Sequence, residues 1–284
     1  MDDLPYEVKK KIIKSGNTIE LFEYEKSYWV GWPQFRKLHH NEFKKVHLES
    51  EQIKIREDNV KRSRLKITRL INSNPQLKTF LTLTFKDEIL DLKIANKYFD
   101  RFIKRISYGQ NDFQYLAVPE FQSKSKRVHY HLVSNYPLPE FKSDDKRKEY
   151  ERWFADKYWK NGFINFRPIN NSENIGVYIS KYLSKEMFDP RYFKKRKFFY
   201  SKNLNLPEVI DYPSDVDNFL DFFELDCLDL IKEREFHSDR LGQIKESIYK
   251  INEVDNEELI KFSRKNKKEK TNTKKELNID DIVF

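Results

Sequence analysis

Cysteine is nearly absent from this chain: Cys227 is the only one in 284 residues. No internal disulfide can form, a cysteine-rich zinc site is excluded, and a reducing cytoplasm is the compartment to expect. Long apolar runs are missing too. No stretch of eighteen apolar residues occurs, which excludes a membrane-spanning helix and removes membranes from the expected partners. The opening MDDLPYEVKK is polar and charged, without the apolar segment of a signal peptide. No internal repeat of domain size is present.

Positive charge is in excess. Lys and Arg number 55 against 46 Asp and Glu, giving a formal net charge of +9 and a pI of about 9.2. That excess points to a polyanionic partner, nucleic acid ahead of membrane, because no basic amphipathic anchor with a strong apolar face stands out. A Lys- and Asn-rich proteome produces the same excess without any such role, so charge alone decides little.

Residues 1–74 read as an appendage of strands and charged helices: NTIELFEYEKSYWVGW suggests a hairpin, and Asn41 to Ile71 has helical apolar spacing. Asn74-Pro75 breaks it. A core domain is expected over 75–207. KTFLTLTF, Lys78 to Phe85, alternates like a strand. A helix follows from Asp91, with Ile94, Tyr98, Phe99, Phe102, Ile103 and Ile106 on one stripe. DFQYLAVPE and RVHYHLV, separated by the polar FQSKSK, read as an antiparallel hairpin in which Pro119 calls for an edge or a bulge. A charged helix from Asp144 to Tyr158, the strand FINFRPI and a last helix from Asn174 to Lys185 complete it. Residues 208–260 read as an acidic helical region and 261–284 as a basic, disordered tail. The order is that of an α+β fold: a central antiparallel sheet with helices packed on it, and helical additions at both ends.

Two features carry chemistry. His129 and His131 in RVHYHLV lie on one face of a strand, and Glu120 across the hairpin can approach them. Two imidazoles and a carboxylate suit a divalent ion with open positions, such as Mn²⁺ or Mg²⁺. Alone, the histidine pair is better explained by alternation on a polar sheet face. The second feature is IGVYISKYLSKEM, in which Tyr-x-x-Lys occurs twice, Tyr178 with Lys181 and Tyr182 with Lys185. On a helix these flank the apolar stripe Ile175, Ile179, Leu183 and Met187. Nearby cations favour a phenolate and can hold a phosphate; alone, the tyrosines are better explained as the edge of a core. Together the two features form a complete set for phosphodiester transesterification: an ion to neutralise charge, a phenolate to attack phosphorus and a lysine to position the phosphate.

FLTLTF, VHYHLV and YISKYLSK, in that order, resemble the three motifs of rolling-circle replication initiators of the HUH endonuclease superfamily, the two-tyrosine phage and plasmid type above all. The resemblance covers Lys78 to Lys185, and FFYSKNLNLP resembles the segment that follows the tyrosine helix in relatives. It implies that His129, His131 and Glu120 are the metal ligands, that Tyr178 and Tyr182 are the nucleophiles, and that Lys181 and Lys185 are their helix partners. The implied activity is metal-dependent nicking and rejoining of single-stranded DNA at a replication origin through a 5′-phosphotyrosine link, in a bacterial host cell. The tyrosines follow the histidines and no third histidine neighbours them, which favours replication over a mobilisation relaxase. Transposases of similar order carry one tyrosine. A non-catalytic DNA-binding protein with this fold and an unrelated metal enzyme are the remaining alternatives.

Other stretches carry weaker expectations. Trp153, Trp159 and Phe163 near Arg167 can stack bases or fill the core. Lys44, Lys45, Arg56, Lys61, Arg62 and Arg64 can contact phosphates or form a solvated face. The ending NIDDIVF is similar to the acidic tip with which bacterial single-stranded-DNA-binding proteins recruit partners, which suggests a host helicase or another replication protein.

Overall fold

Alternation in VHYHLV sends Val128, Tyr130 and Leu132 to one side of a strand and His129, His131 and Val133 to the other. In a computed structural model every residue of that strand is buried, because it is the middle one of five. The structure describes residues 5–31, 49–122, 125–168, 179, 196–223 and 228–251, with side chains from residue 58 onward in the second range. The chain divides into two compact units, Pro33–Glu208 and Met1–Trp32 with Val209–Phe284.

The unit of Met1–Trp32 and Val209–Phe284 holds strands β1 (Tyr6–Ser15) and β2 (Thr18–Val30), which form a hairpin. The larger unit contains helix α1 (Glu49–Asn72), β3 (Thr79–Phe85), α2 (Leu92–Gly109), β4 (Tyr115–Phe121), β5 (Val128–Ser134), α3 (Asp144–Phe154), β6 (Gly162–Pro168) and β7 (Phe199–Tyr200). Its sheet runs β6-β3-β5-β4-β7, with all four neighbouring pairs antiparallel. Asp91 caps α2 by accepting a 2.9 Å hydrogen bond from the Ile94 amide. Leu92, Ala95, Phe99, Phe102 and Ile106 face the sheet. The buried stripe is therefore rotated from the expected one: Leu92 and Ala95 take the inner positions and Ile94 is exposed. A π-helical turn, Ala155–Trp159, extends α3 and buries Trp159, whose indole N–H donates to the Thr84 carbonyl at 3.0 Å.

Gly162 starts β6 with φ of 151°, and a Cβ there would meet the Thr84 carbonyl oxygen at 2.2 Å. Only glycine allows β6 to close against β3 at this corner.

α2 and the end of α3 cover one face of the sheet, where Tyr130 stacks on Phe99 with ring centroids 4.4 Å apart and donates to Asn96 Oδ1 at 2.6 Å. The opposite face buries Phe80, Leu116, Val118 and Val133 against Ile67, Leu70 and Ile71 of α1 and against Ile179. So α1, expected within an N-terminal appendage, belongs to the unit that carries the histidines.

The other unit completes its own sheet with β8 (Glu208–Ile210), β9 (Asp229–Ser238) and β10 (Gly242–Lys250), in the order β8-β1-β2-β10-β9. Helix α4 (Pro213–Phe222) packs Val216 and Phe219 against Ile12, Ile19 and Leu21. Within 208–260 the helical expectation holds for α4, but Asp229–Lys250 forms a hairpin instead. The second strand of that hairpin pairs with β2 along its length, and cross-strand ion pairs accompany the fold-back: Glu233 with Lys245 at 2.9 Å and Arg234 with Glu246. These partners meet only when the segment is folded back on itself. Strands β1 and β2 thus fold with β8, β9 and β10 rather than with α1 and the sheet that follows them. The expected tail, 261–284, lies outside the described residues. Among the described residues no helix is long and apolar enough to cross a membrane.

The Tyr130 stack anchors the histidine strand from behind. Phe99→Ala is expected to cost about 3–5 kcal/mol in urea denaturation, and Tyr130→Phe only about 1 kcal/mol for the lost hydrogen bond. A loss below about 1 kcal/mol for Phe99→Ala would show that the stack does not anchor β5.

Candidate functional site

Register lays the side chains of the histidine face in rows across four strands. One row is Glu120, His129, Thr84 and Phe163; the next is Val118, His131, Thr82 and Asn165; the third is Leu116, Val133, Phe80 and Arg167. Glu120 is the direct cross-strand partner of His129, and its Oε2 lies 2.6 Å from His131 Nε2. The three expected ligand residues therefore share one end of one face.

Pro119 does not turn Glu120 away. The Gln122 amide donates to the Arg127 carbonyl at 2.9 Å, which makes the even positions of β4 the hydrogen-bonded pairs with β5. Pro119, opposite Tyr130, falls in a non-hydrogen-bonded pair, so its missing N–H would point away from β5. On that side β7 pairs only with Leu116 and Ala117. Pro119 thus stands past the end of β7: the expected edge is there, and the β4–β5 register runs through it without a bulge.

Both histidines are buried, His129 at 7% and His131 at 6% exposure. His131 is fully engaged. Its Nε2 faces the Glu120 carboxylate, its Nδ1 lies 3.2 Å from Thr82 Oγ1, and Phe80 stacks on the ring with centroids 5.9 Å apart. With Nε2–H donating to the carboxylate, Nδ1 accepts from the Thr82 hydroxyl. Because a hydroxyl can also accept, Thr82 suits the opposite tautomer, in which Nε2 is a ligand and Nδ1 carries the proton. Sequence reasoning missed Thr82 as a site residue; its signal is the alternation Phe80, Thr82, Thr84 in FLTLTF, which by itself says only that the segment is a strand.

His129 Nε2 is buried, and among the described residues it has no hydrogen-bond partner. Burial, then the neighbouring His131 and Arg127, pull its pKa down to about 4, against an upward pull from Glu120. The imidazole is neutral at neutral pH, with a lone pair available. Among the described residues no three His, Cys, Asp or Glu side chains already stand gathered as a ligand set, since Glu120 is turned onto His131. The donors fit a divalent cation nonetheless: two imidazoles and a carboxylate share one face, and among the described residues His129 Nε2 has nothing else to bond.

Tyr178, Lys181, Tyr182 and Lys185 lie outside the described residues. Ile179, between the two tyrosines in sequence, is described: it is helical and fully buried in the cluster of Val118, Val133 and Phe80. It therefore packs on the face that carries His129 and His131. Lys44 and Lys45, the Arg56 side chain and the NIDDIVF ending also lie outside the described residues. Trp159 is a core residue, Trp153 is half-exposed on α3 behind the opposite face, and Phe163 is 67% exposed on the histidine face.

Residues 78–187 match the replication-associated protein family of the ORF2 type. The chain is 30% identical over 134 residues to the replication-associated protein ORF2 of Spiroplasma virus 4, covering 41% of each. It is 35% identical over 124 residues to the phasyl DNA replicon protein arp of Escherichia coli, covering 37% of this chain and 42% of that one. The chain thus spans about two-fifths of the length of these relatives. No solved structure matches it.

The depressed pKa predicts a pH response in metal-free protein. The folded pKa of about 4 lies below the ordinary 6.5, so the unfolded chain takes up a proton that the folded strand refuses. Stability from this group is complete above pH 6.5 and falls as pH drops towards 4. NMR titration should show His129 neutral through pH 6 and protonating near 4; an ordinary midpoint would place the ring in water.

Proposed function

With residues 78–187 matching the ORF2-type replication-associated protein family, we propose that this protein is a rolling-circle replication initiator that nicks and rejoins single-stranded DNA at an origin. One observation carries the reading. Two buried imidazoles and a carboxylate share a sheet face with Ile179, which belongs to the doubled Tyr-x-x-Lys segment. The segment that carries the tyrosines thus contributes Ile179 to the face that holds the ion ligands, which favours the proximity that phosphoryl transfer by a positioned phenol needs.

His129, His131 and Glu120 would hold the ion, Mn²⁺ or Mg²⁺. When bound, it supplies charge neutralisation at the scissile phosphate. The remaining work falls to the chain. A phenol of ordinary pKa about 10 is a weak nucleophile, so Lys181 and Lys185 favour the phenolate of Tyr178 or Tyr182 and hold the phosphate. The phenolate oxygen forms the bond to phosphorus, the bond to the 3′-oxygen breaks, and that oxygen leaves as a 3′-hydroxyl after taking a proton. The product is a 5′-phosphotyrosine link. A second tyrosine allows the strand to be cut again and passed on at the end of a round. Thr82 holds the His131 ring in orientation throughout.

The direct test is incubation of labelled single strands with the protein and Mn²⁺, followed by denaturing electrophoresis and mass-spectrometric mapping of the linked tyrosine. Tyr178→Phe or Tyr182→Phe should reduce the adduct and the double variant abolish it. An intact adduct in the double variant refutes the nucleophile assignment. His131→Ala should remove metal-dependent cleavage while leaving DNA binding, and undiminished cleavage would put the ion elsewhere.

Thr82→Val should weaken Mn²⁺ binding about 10- to 100-fold by calorimetry, and Thr82→Ser should restore it. Unchanged affinity in Thr82→Val would mean that the hydroxyl does not orient the ligand.

A further inference from the structure

The histidine face continues past the candidate ion site onto β6, the outer strand of the sheet. Its three positions on that face are Phe163, Asn165 and Arg167. Phe163 ends the row that begins with Glu120 and His129, two strands and about 10 Å beyond His129. It is 67% exposed, unlike Trp159, which the core absorbs, and it lies on the opposite side of the sheet from α3 and its Trp153. A single exposed aromatic is ordinary on a protein surface. What distinguishes this one is its company along the strand.

Asn165 and Arg167 are held by a polar relay. Glu151, buried at the margin of the sheet, accepts from the Phe166 amide at 2.8 Å and from Arg147 at 2.9 Å. It also accepts from Asn165 Nδ2 at 3.3 Å, which leaves Asn165 Oδ1 to accept from Arg167 Nε at 3.2 Å. Nε is only one of the five donors of a guanidinium. The exposed Arg167 head group is thereby oriented on the face it shares with Phe163. An aromatic platform with a cation further along the same strand face is the pairing that single-stranded nucleic acids use: the ring stacks a base and the cation holds a phosphate.

We propose that Phe163 and Arg167 form a ledge on which single-stranded DNA lies beside the ion site, Phe163 stacking a base and Arg167 holding a backbone phosphate, with Asn165 as the residue that positions Arg167. This rests on the nuclease reading above. The offset of about 10 Å, two strand spacings, assigns the stacked base to a nucleotide near the scissile phosphate rather than at it. The ledge therefore sets which stretch of strand is presented for cleavage.

The test uses the full-length protein, metal-free, with fluorescently labelled oligothymidylate. Phe163→Ala should weaken binding about 5- to 100-fold with an unchanged melting temperature. Phe163→Trp should retain binding, and its added emission should be quenched by the oligonucleotide. Arg167→Gln should lower the slope of log affinity against log salt by about 0.7. Parental affinity in Phe163→Ala, or unquenched emission in Phe163→Trp, overturns the ledge. The two readings fail separately. Adduct formation that is indifferent to Phe163→Ala sinks the ledge and keeps the nuclease. Phe163-dependent binding by a parent chain that never forms an adduct keeps the ledge and sinks the nuclease.

Discussion

The constraint on which the rest depends is that β5 is buried on both faces. A half-buried strand can place its polar residues in water. The middle strand of this sheet cannot, so His129 and His131 must be accommodated inside the protein. On one side the solution is apolar: Tyr130 is clamped by Phe99 and its hydroxyl is satisfied by Asn96. On the other it is polar: His131 is bonded at both nitrogens, and His129 keeps one nitrogen unpaired among the described residues. A buried polar atom without a partner is costly, on the order of 1–3 kcal/mol.

The electrostatics follow from the same burial. Desolvation outweighs the attraction of Glu120 and keeps His129 neutral, which a ligand needs to be. The Glu120–His131 contact keeps the carboxylate inside the site although it stands near the end of its strand. Thr82, from the neighbouring strand, fixes the ring plane of His131 and can serve either tautomer. Three strands thus contribute one residue or more to the site. Its precision comes from sheet register, which cannot slip by one residue without exchanging the faces of β5.

Much of the α+β core was legible in the sequence. KTFLTLTF and RVHYHLV showed alternation, the helix from Asp91 an apolar stripe, and the spacer FQSKSK marked the hairpin that brings Glu120 to the histidines, while the short strand Phe199–Tyr200 gave no such signal. The departures have physical causes. The bulkiest residues suggested the α2 stripe, but packing buried Leu92 and Ala95 and left Ile94 exposed. The apolar spacing of Glu208 to Glu235 suggested helices; Asp229–Lys250 is instead held by pairing of its strands with each other and with β2, which no single-strand periodicity displays. The partnership of residues 1–32 with 209–251 is a contact across the length of the chain, to which local pattern is blind.

The sequence by itself determined which residue types could do chemistry and in what order: the histidine pair, the carboxylate upstream and the doubled Tyr-x-x-Lys downstream. It also determined that His129 and His131 share a face, because the period of a strand is two. Only the tertiary structure decided that this face is buried, that Glu120 sits opposite His129, and that Pro119 fits because its missing donor points past the end of β7. Only the tertiary structure separated Trp159 from Phe163, sending one to the core and the other to the open end of the histidine row. The reason is the same in each case. Periodicity fixes the side to which a residue points, but what lies on that side is supplied by strands and helices distant in sequence.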